Sequence, residues 1–506
     1  MTPTPAVEFV GVHKAFGEFH AAEDLHFKIA EGCIHAIVGE NGAGKSTSMK
    51  LLFGFYRPDK GHIKVRGAVA KFQSPADAMT CGIGMVHQHF MLAETHSALD
   101  NILLFEKNTS AFQKLNRKEH KERLQNLAAE YQFHIDWDSP IGQLSVGTQQ
   151  RIELLKILSQ NSKIIILDEP TAVLTPLEIV DLFRNLQKLK KEGRTIIIIT
   201  HKLKEVMNNA DSVTVLRGGR VVANSSIHQT SIEQLAEHMV GRKLKNLDSH
   251  PRLKVSDQKS ILKISRLNVQ NKFSALKNLS LELKSGEILG IAGVEGNGQD
   301  ELIQSLLSPR SLKLKGQIEI NSISSVRLST ARIRSLGFSA FPEDRLRYGV
   351  LTSRPAYENF ILGYQRSREY SQFGFLRFKN IFKKTAAAME SFDIRPRQIK
   401  KSVGSMSGGN QQKLVVAREL QTNPQIILAA KPTRGVDIGA VEFIHEQLLN
   451  SRNSGAAVLL VSSELEELMT LADRILVLFK GQLVAEFDRK NGYNEIAIGS
   501  AMGGHT

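Results

Sequence analysis

Cysteine is nearly absent from this chain: two residues in 506, Cys33 and Cys81. Two thiols cannot build a disulfide framework, and neither lies in a CxxC pair. A reducing cytosol with both as small buried apolar residues is the expectation. Long hydrophobic runs are also missing. Unbroken stretches of Ile, Leu or Val, such as Ile164 to Leu167 and Ile196 to Ile199, stop at four residues. A spanning helix needs about 20, so no segment is expected to cross a membrane. The opening MTPTPAVEF has neither a basic start nor an apolar stretch, so no secretory signal is expected. Acidic residues are in deficit, 51 against 66 Lys and Arg, giving a net charge of +15. That balance favours anionic partners: nucleotide phosphates, nucleic acid or the inner face of a membrane. What remains is ordinary globular usage, 42% hydrophobic and 23% charged, which excludes a disordered or fibrous chain. At about 150 residues per domain, the length suggests a multi-domain, soluble, intracellular protein.

The chain repeats itself. EGCIHAIVGENGAGKS (31–46) returns as SGEILGIAGVEGNGQD (285–300), QLSVGTQQRIELLKIL (143–158) as SMSGGNQQKLVVAREL (405–420), and IIILDEPTAVLT (164–175) as IILAAKPTRGVD (426–437). The offset is 254 residues at the first pair (39 to 293) and 262 at the other two (145 to 407, 168 to 430). Order and spacing survive apart from a net eight-residue insertion in the second copy, which marks a domain duplication. The polar stretch Leu247 to Ser260, with Pro251 and no apolar periodicity, reads as a linker between residues 6–246 and 261–502. Each copy opens with strand-like alternation (Val7, Phe9, Val10; Leu262, Ile264), then a buried strand, a glycine loop and a helix. A charged helical insert follows, with Asn116 to Tyr131 its clearest helix, and then two all-apolar strands. Apolar strands alternating with helices imply an α/β fold with a parallel sheet covered on both faces.

The residues Gly39, Glu40, Asn41, Gly42, Ala43, Gly44, Lys45 and Ser46 match GxxxxGK[ST], between a strand over Ile34 to Val38 and a helix over Thr47 to Leu52. Glycines let backbone N–H groups turn inward around phosphates, and the helix N-terminus adds positive dipole. Lys45 would reach the β/γ-phosphates, and the Ser46 hydroxyl would coordinate Mg²⁺. The aliphatic strand Ile164 to Leu167 ends in Asp168 and Glu169. A strand end beside a phosphate loop places Asp168 to hold hydrated Mg²⁺ and Glu169 to polarise the attacking water. ATP and Mg²⁺ are the cofactors this pattern calls for.

LSVGTQQR and MSGGNQQK resemble the signature of ABC-type ATPases, and the resemblance covers almost the whole chain. The tandem arrangement resembles the ATP-binding subunit of simple-sugar and nucleoside importers. Four strings, MVHQHFML (85–92), DEPTAVLTP (168–176), GVEGNGQ (293–299) and AAKPTRG (429–435), lean to the nucleoside branch that serves basic-membrane-lipoprotein-type binding proteins. The resemblance implies two tandem P-loop domains, each with a RecA-like parallel-sheet core, an antiparallel β subdomain and a helical subdomain. It implies two transmembrane permease subunits as partners, an extracytoplasmic binding protein acting through them, no nucleic acid, and a peripheral position at the cytoplasmic face of the inner membrane. It also implies that Phe16 stacks on adenine and that Gln88 senses Mg²⁺ and water. His201 would contact the γ-phosphate, and Thr47 would complete the phosphate cradle. The apolar residues Phe90, Met91 and Leu92 after Gln88 are candidates for a partner surface.

The second copy departs at the catalytic positions. Lys45 becomes Gln299, Ser46 becomes Asp300, Asp168 becomes Ala430, Glu169 becomes Lys431 and His201 becomes Ser463, while Gln88 aligns near Glu343. Ser407, Gly408, Gly409, Asn410, Gln411 and Asp437 are spared. In the family two halves pack head to tail, each nucleotide lying between one phosphate loop and the opposite signature. The resemblance therefore implies one composite ATP site, built from the first loop and the second signature. Its degenerate twin would pair Gln299 and Asp300 with the altered Ser145-Val-Gly-Thr-Gln149 and with Thr175, which stands where the second copy has Asp437. The main rival is a soluble translation factor of the ABC type, which carries a long charged linker and two catalytic glutamates. Here the linker is short and the second glutamate is Lys431. A repair ATPase of the excinuclease type would need cysteine clusters that two isolated cysteines cannot supply. Simple sugars and flavins stand as alternative cargo to nucleosides.

Overall fold

The computed structural model describes residues 4–88, 90–105, 116–172, 174, 176–243, 259–270, 275–294 and 296–504. The chain divides into two compact units, Met1–Leu244 and Lys245–Thr506, each described by itself. Residues 247–258 of the expected linker lie outside the described residues, as do His89, Thr175 and Glu295. Ser260 already opens a strand, Ser260–Gln270.

In the first unit the strands Val7–Phe16 and Phe19–Ile29 form an antiparallel pair, extended by Lys60–Val65 and Ala68–Ala70 into a four-stranded sheet. A separate six-stranded sheet runs in the order Arg220–Ser226, Ser212–Arg217, Ile34–Gly39, Thr195–Ile199, Ile164–Asp168, Ile83–Val86. All its neighbours are parallel except the first pair. Every residue of Ile34–Gly39, Ile164–Asp168 and Thr195–Ile199 is buried. That is why these strands read as continuous apolar runs: both sheet faces are covered. Parallel strands share a direction, so register decides which loops meet. Ile37 and Asp168 both pair with Ile199. The residues that follow these three strands therefore gather at one edge of the sheet, where ligands bind in open α/β sheets.

A helical layer packs beside the sheet around Leu99, Ile102, Leu124, Ala128, Trp137 and Ile141. The helix expected over Asn116 to Tyr131 is Arg117–Glu130, with Asn116 accepting the Glu119 N–H at its start and Tyr131 as C-cap. Asparagine satisfies an orphan first-turn donor, which is what starts the helix here. Cys33 is buried, but Cys81 is exposed, contrary to the expectation. It caps the C-terminus of the short surface helix Pro75–Thr80, in which Ala78 is buried and Met79 packs on the core.

The second unit repeats both sheets with the same strand order, its six-stranded sheet running from Phe338–Phe341 through Ile426–Ala430, Ala457–Ser462, Ile288–Ala292 and Arg474–Phe479 to Gln482–Asp488. The net eight-residue insertion is spread over this unit. Val86 and Phe341 end equivalent strands, 255 residues apart. Asn101 and Asn359, each accepting a backbone N–H eight residues upstream at 2.7 Å, stand 258 apart. Three extra residues thus enter just after Phe341, where Arg345–Gly349 forms a π-helical turn.

Candidate nucleotide-binding site

In the first unit the strand Ile34–Gly39 turns through residues 40–44 into the helix Lys45–Leu52, which begins two residues before the expected Thr47. The turn needs its glycines. Gly44 has φ +97°, and a Cβ there would lie 2.2 Å from the Ala21 carbonyl oxygen. At Gly39 a Cβ would lie 2.3 Å from the Leu216 carbonyl oxygen. The helix presents the N–H groups of its first turn, which have no intrahelical acceptor, into the mouth of this loop.

Lys45 is 6% exposed and curls back on the loop, donating to the carbonyls of Gly39 at 2.7 Å and Glu40 at 3.0 Å. Burial lowers its pKa, opposed by the charges of Glu169, Asp168 and Glu40. A desolvated cation satisfied only by carbonyls is a seat for an anion. The Ser46 hydroxyl lies 3.3 Å from Asp168 Oδ1, bringing together two of the oxygen ligands expected for Mg²⁺. Burial raises the Asp168 pKa, with the hydroxyl and Lys45 opposing and Glu169 adding to it. Glu169 is the reverse: burial acts to raise its pKa, but the hydrogen bond and charge of His201, with Lys45 and Lys202, win and lower it. His201 Nδ1 lies 3.0 Å from Glu169 Oε1. Glu169 is bent into φ +49° while its N–H bonds the Ile199 carbonyl at 2.9 Å, and strain of this kind collects at functional positions. The donor set fits a triphosphate with a hard divalent cation: one buried ammonium, a hydroxyl beside a carboxylate, and a glycine cradle.

The other expected residues lie around this edge. Phe16 ends the strand Val7–Phe16, 43% exposed, with Tyr56 edge-on at 5.1 Å and the Lys14 ammonium over the ring at 5.7 Å. Gln88 is exposed, two residues after the strand Ile83–Val86. Of the three apolar residues that follow it, Met91 is well exposed, whereas Phe90 and Leu92 are half-buried and Leu92 packs on the helical layer. The openly apolar surface is therefore narrower than the three-residue run implied. One tie was missed. Glu153 and Lys156, both buried on the helix Val146–Ser159, pair at 2.8 Å, and Glu153 accepts the Met91 N–H at 2.8 Å. The segment after Gln88 is thereby fastened to the helix that starts at Ser145. Two charged residues inside an otherwise apolar helix face were the signal.

In the second unit the loop keeps its shape. Gly298 has φ +112°, the Asn297 N–H bonds the Val294 carbonyl at 3.2 Å, and the helix Gln299–Leu307 follows. Gln299 is buried where Lys45 is buried, and its Oε1 has no hydrogen-bond partner. Asp300 is exposed, Ala430 is fully buried and Ser463 is half-buried. Lys431 reaches Glu343 at 2.7 Å, and Arg434 also pairs with Glu343. The residues aligned with Gln88 and Glu169 are thus tied to one another, a pairing not foreseen from the strings. At the signature, Ser407 caps the helix Gly408–Leu420, accepting from the Asn410 N–H at 3.4 Å and Nδ2 at 2.8 Å. Gln411 donates to the carbonyls of Val403 and Met406, both at 3.2 Å. Asp437 caps the next helix, Ile438–Asn453. A Cβ on Gly408 would meet Arg345 Nη2 at 2.4 Å, and one on Gly409 would meet Asp437 Oδ2 at 2.5 Å. Both glycines let the helix start approach its neighbours closely.

Among proteins of known family, the ABC transporter family matches residues 22–172 and 276–434. The guanosine import ATP-binding protein NupO of Bacillus subtilis is 40% identical, with 99% of this chain and 98% of that one covered. The nucleoside import ATP-binding protein NupA of Lactococcus lactis is 38% identical, covering 96% and 95%. The glucose import ATP-binding protein TsgD13 of Haloferax volcanii is 37% identical, covering 100% and 96%.

Proposed function

The chain belongs to the ABC transporter family, and from that premise we propose that it is the ATP-hydrolysing subunit of an importer, taking up nucleosides through separate membrane permease subunits. Likeness over nearly its whole length to proteins named for guanosine and nucleoside import carries the cargo assignment. The likeness to a glucose import protein keeps simple sugars as the second reading. No helix among the described residues is long and apolar enough to cross a membrane, so the pore belongs to partner chains. Two permease subunits, a binding protein on the far side, and a peripheral seat at the inner face of the membrane complete the proposal. The exposed Gln88 and Met91 are the contact offered to the permease.

The chemistry follows from the first unit. Lys45 meets the β- and γ-phosphates, exchanging carbonyl partners for an anion. Ser46, Asp168 and Gln88 would hold Mg²⁺, which would supply charge neutralisation. Glu169, kept ionised by His201 and nearby cations, orients the attacking water, and His201 faces the γ-phosphate. Gly39 to Thr47 wrap the phosphates, and Phe16 stacks on adenine. Ser407, Gly408, Gly409, Asn410, Gln411 and Asp437 of the second unit keep the signature of the family and serve nucleotide binding as well. The second phosphate loop does not hydrolyse ATP.

Uptake of labelled guanosine tests the reading, in cells lacking the chain and supplied with its permease. Wild type should restore guanosine uptake, and Lys45→Ala should not. Restored glucose uptake with guanosine unchanged would overturn the cargo.

A further inference from the structure

The helical part of the second unit carries a small hairpin that nothing in ATP hydrolysis uses. Ser371–Gln372 pairs antiparallel with Phe375–Leu376 through the two-residue turn Phe373-Gly374. Both turn residues have positive φ, +53° and +84°. Asn-Gly is the sequence this tight turn favours, and a bulky aromatic in the left-handed region is strained. Phe373 nevertheless occupies it and is 91% exposed, with Phe375 80% exposed beside it. Phe378, which opens the next helix, leans edge-on against Tyr357 at 6.3 Å, so the two bare rings are those of the hairpin. The base is firmly held. Tyr370 is buried in the helical core, its hydroxyl bonded to Gln421, and its carbonyl accepts the Arg377 N–H at 2.9 Å. A rigid base thus carries two uncovered aromatic rings outward.

The charge around it has one sign. Between residues 366 and 384 stand Arg366, Arg368, Arg377, Lys379, Lys383 and Lys384, all exposed, against a single acid, Glu369, which pairs with Lys384. Exposed aromatics flanked along the chain by exposed cations match an anionic lipid surface, with rings at the acyl boundary and cations among the headgroups. We propose that the Phe373–Phe375 hairpin is a membrane-interface anchor for anionic phospholipid. It orients the second unit against the bilayer directly, in addition to any grip by the permease. The proposal adds to the importer reading without resting on it.

Cosedimentation of the full chain with protein-free vesicles tests this, one set of phosphatidylcholine alone and one with phosphatidylglycerol. The chain should pellet with the anionic set only, and salt should release it. Arg377→Gln with Lys379→Gln should weaken binding on the order of twenty-fold, about fivefold per cation. Phe373→Asn should weaken it at least severalfold while unfolding at the same temperature or higher, because Asn suits the turn. ATP hydrolysis should be unchanged in both variants. Equal sedimentation with both vesicle types, or undiminished binding by Phe373→Asn, would overturn the anchor. So would binding that appears only when permease is reconstituted, which would make the hairpin a protein contact. With permease absent from the main assay, its failure leaves the importer reading intact.

Discussion

Glu169 and Lys431 occupy the same bend of the same strand in the two units. Their φ values are +49° and +42°, and their N–H groups bond the neighbouring strand at 2.9 and 2.7 Å. The scaffold around them is copied too. Gln150 and Gln412 each donate to the proline carbonyl that follows, and Thr171 and Thr433 each donate to a glutamate 34 residues on. Only the chemistry differs. The first bend offers a carboxylate bonded to a histidine; the second offers an ammonium ion-paired to Glu343. A fold can therefore keep its geometry after its reactive groups are replaced, because strand pairing and helix caps hold that geometry. In the second unit the replaced groups became structure.

The sharpest way to break this comparison is to exchange the two bends for neutral residues. Glu169→Gln should cost about 10²–10⁴ in ATP turnover, the scale of a positioned base, while nucleotide still binds. Lys431→Gln should leave turnover little changed and lower thermal stability, since it strands Glu343 between lost and remaining cations. Steady-state hydrolysis and thermal unfolding on both variants decide. Turnover lost equally by both would mean the second unit is not catalytically silent.

The signatures give the next largest effect, on the order of 10²–10³ for a removed transition-state donor. Gly409→Asp, in the unit without catalytic groups, should nearly abolish hydrolysis on the composite reading that the resemblance implies. On the same reading Gly147→Asp should lose much less. A Cβ meets a carboxylate in both, Asp437 Oδ2 at 2.5 Å in one and Glu178 Oε1 at 2.0 Å in the other, so each variant is first checked for folding by thermal unfolding. Greater loss from Gly147→Asp in folded protein would sink the composite site.

Stability gives a third test. Ala430 is fully buried at the position of Asp168. Ala430→Asp would place a carboxylate there without the Lys45 and Ser46 that serve Asp168, at a cost of about 3–5 kcal/mol. Denaturant unfolding should show the loss. A variant as stable as wild type would mean that the second loop still supplies a cation.

Much of this was legible because it is written in contiguous strings. A phosphate loop, a strand ending in Asp168-Glu169, and an Asn-capped helix each depend on residues close in sequence. What escaped depends on residues far apart. Glu343 and Lys431 meet across 88 positions, and Glu153 reaches the Met91 backbone across 62. Spacing cannot rank such pairs without the sheet order that brings them together. Cys81 was misread for a simpler reason. Cysteine is buried on average, and a helix end at the surface overrides the average. The Phe373 turn escaped because its sequence, Phe-Gly, is not one that tight turns favour.

The smallest expected effect separates what the first unit gives up for function from what the second has recovered. Burial disfavours ionised Asp168 in the folded chain, so its pKa lies above that of an unfolded carboxylate. The folded state then binds the proton more tightly than the unfolded one. The resulting penalty is absent below the ordinary carboxylate value, grows as pH rises toward the folded pKa, and is constant at neutral pH. Glu169 has the opposite sign: its lowered pKa contributes stability at neutral pH that is lost as pH falls. Asp168→Asn removes the penalty and keeps an oxygen for the Ser46 hydroxyl. It should therefore raise stability at neutral pH by on the order of 1 kcal/mol, the usual scale for relieving a functional compromise. The gain should shrink in acid. With Mg²⁺ and a non-hydrolysable ATP analogue the order should reverse, because only wild type gains the linkage from bound ligand. Thermal unfolding at neutral and acidic pH, with and without the analogue, measures all four states. A less stable Asp168→Asn without nucleotide would mean that Asp168 is a structural partner here, as Glu343 is in the other unit.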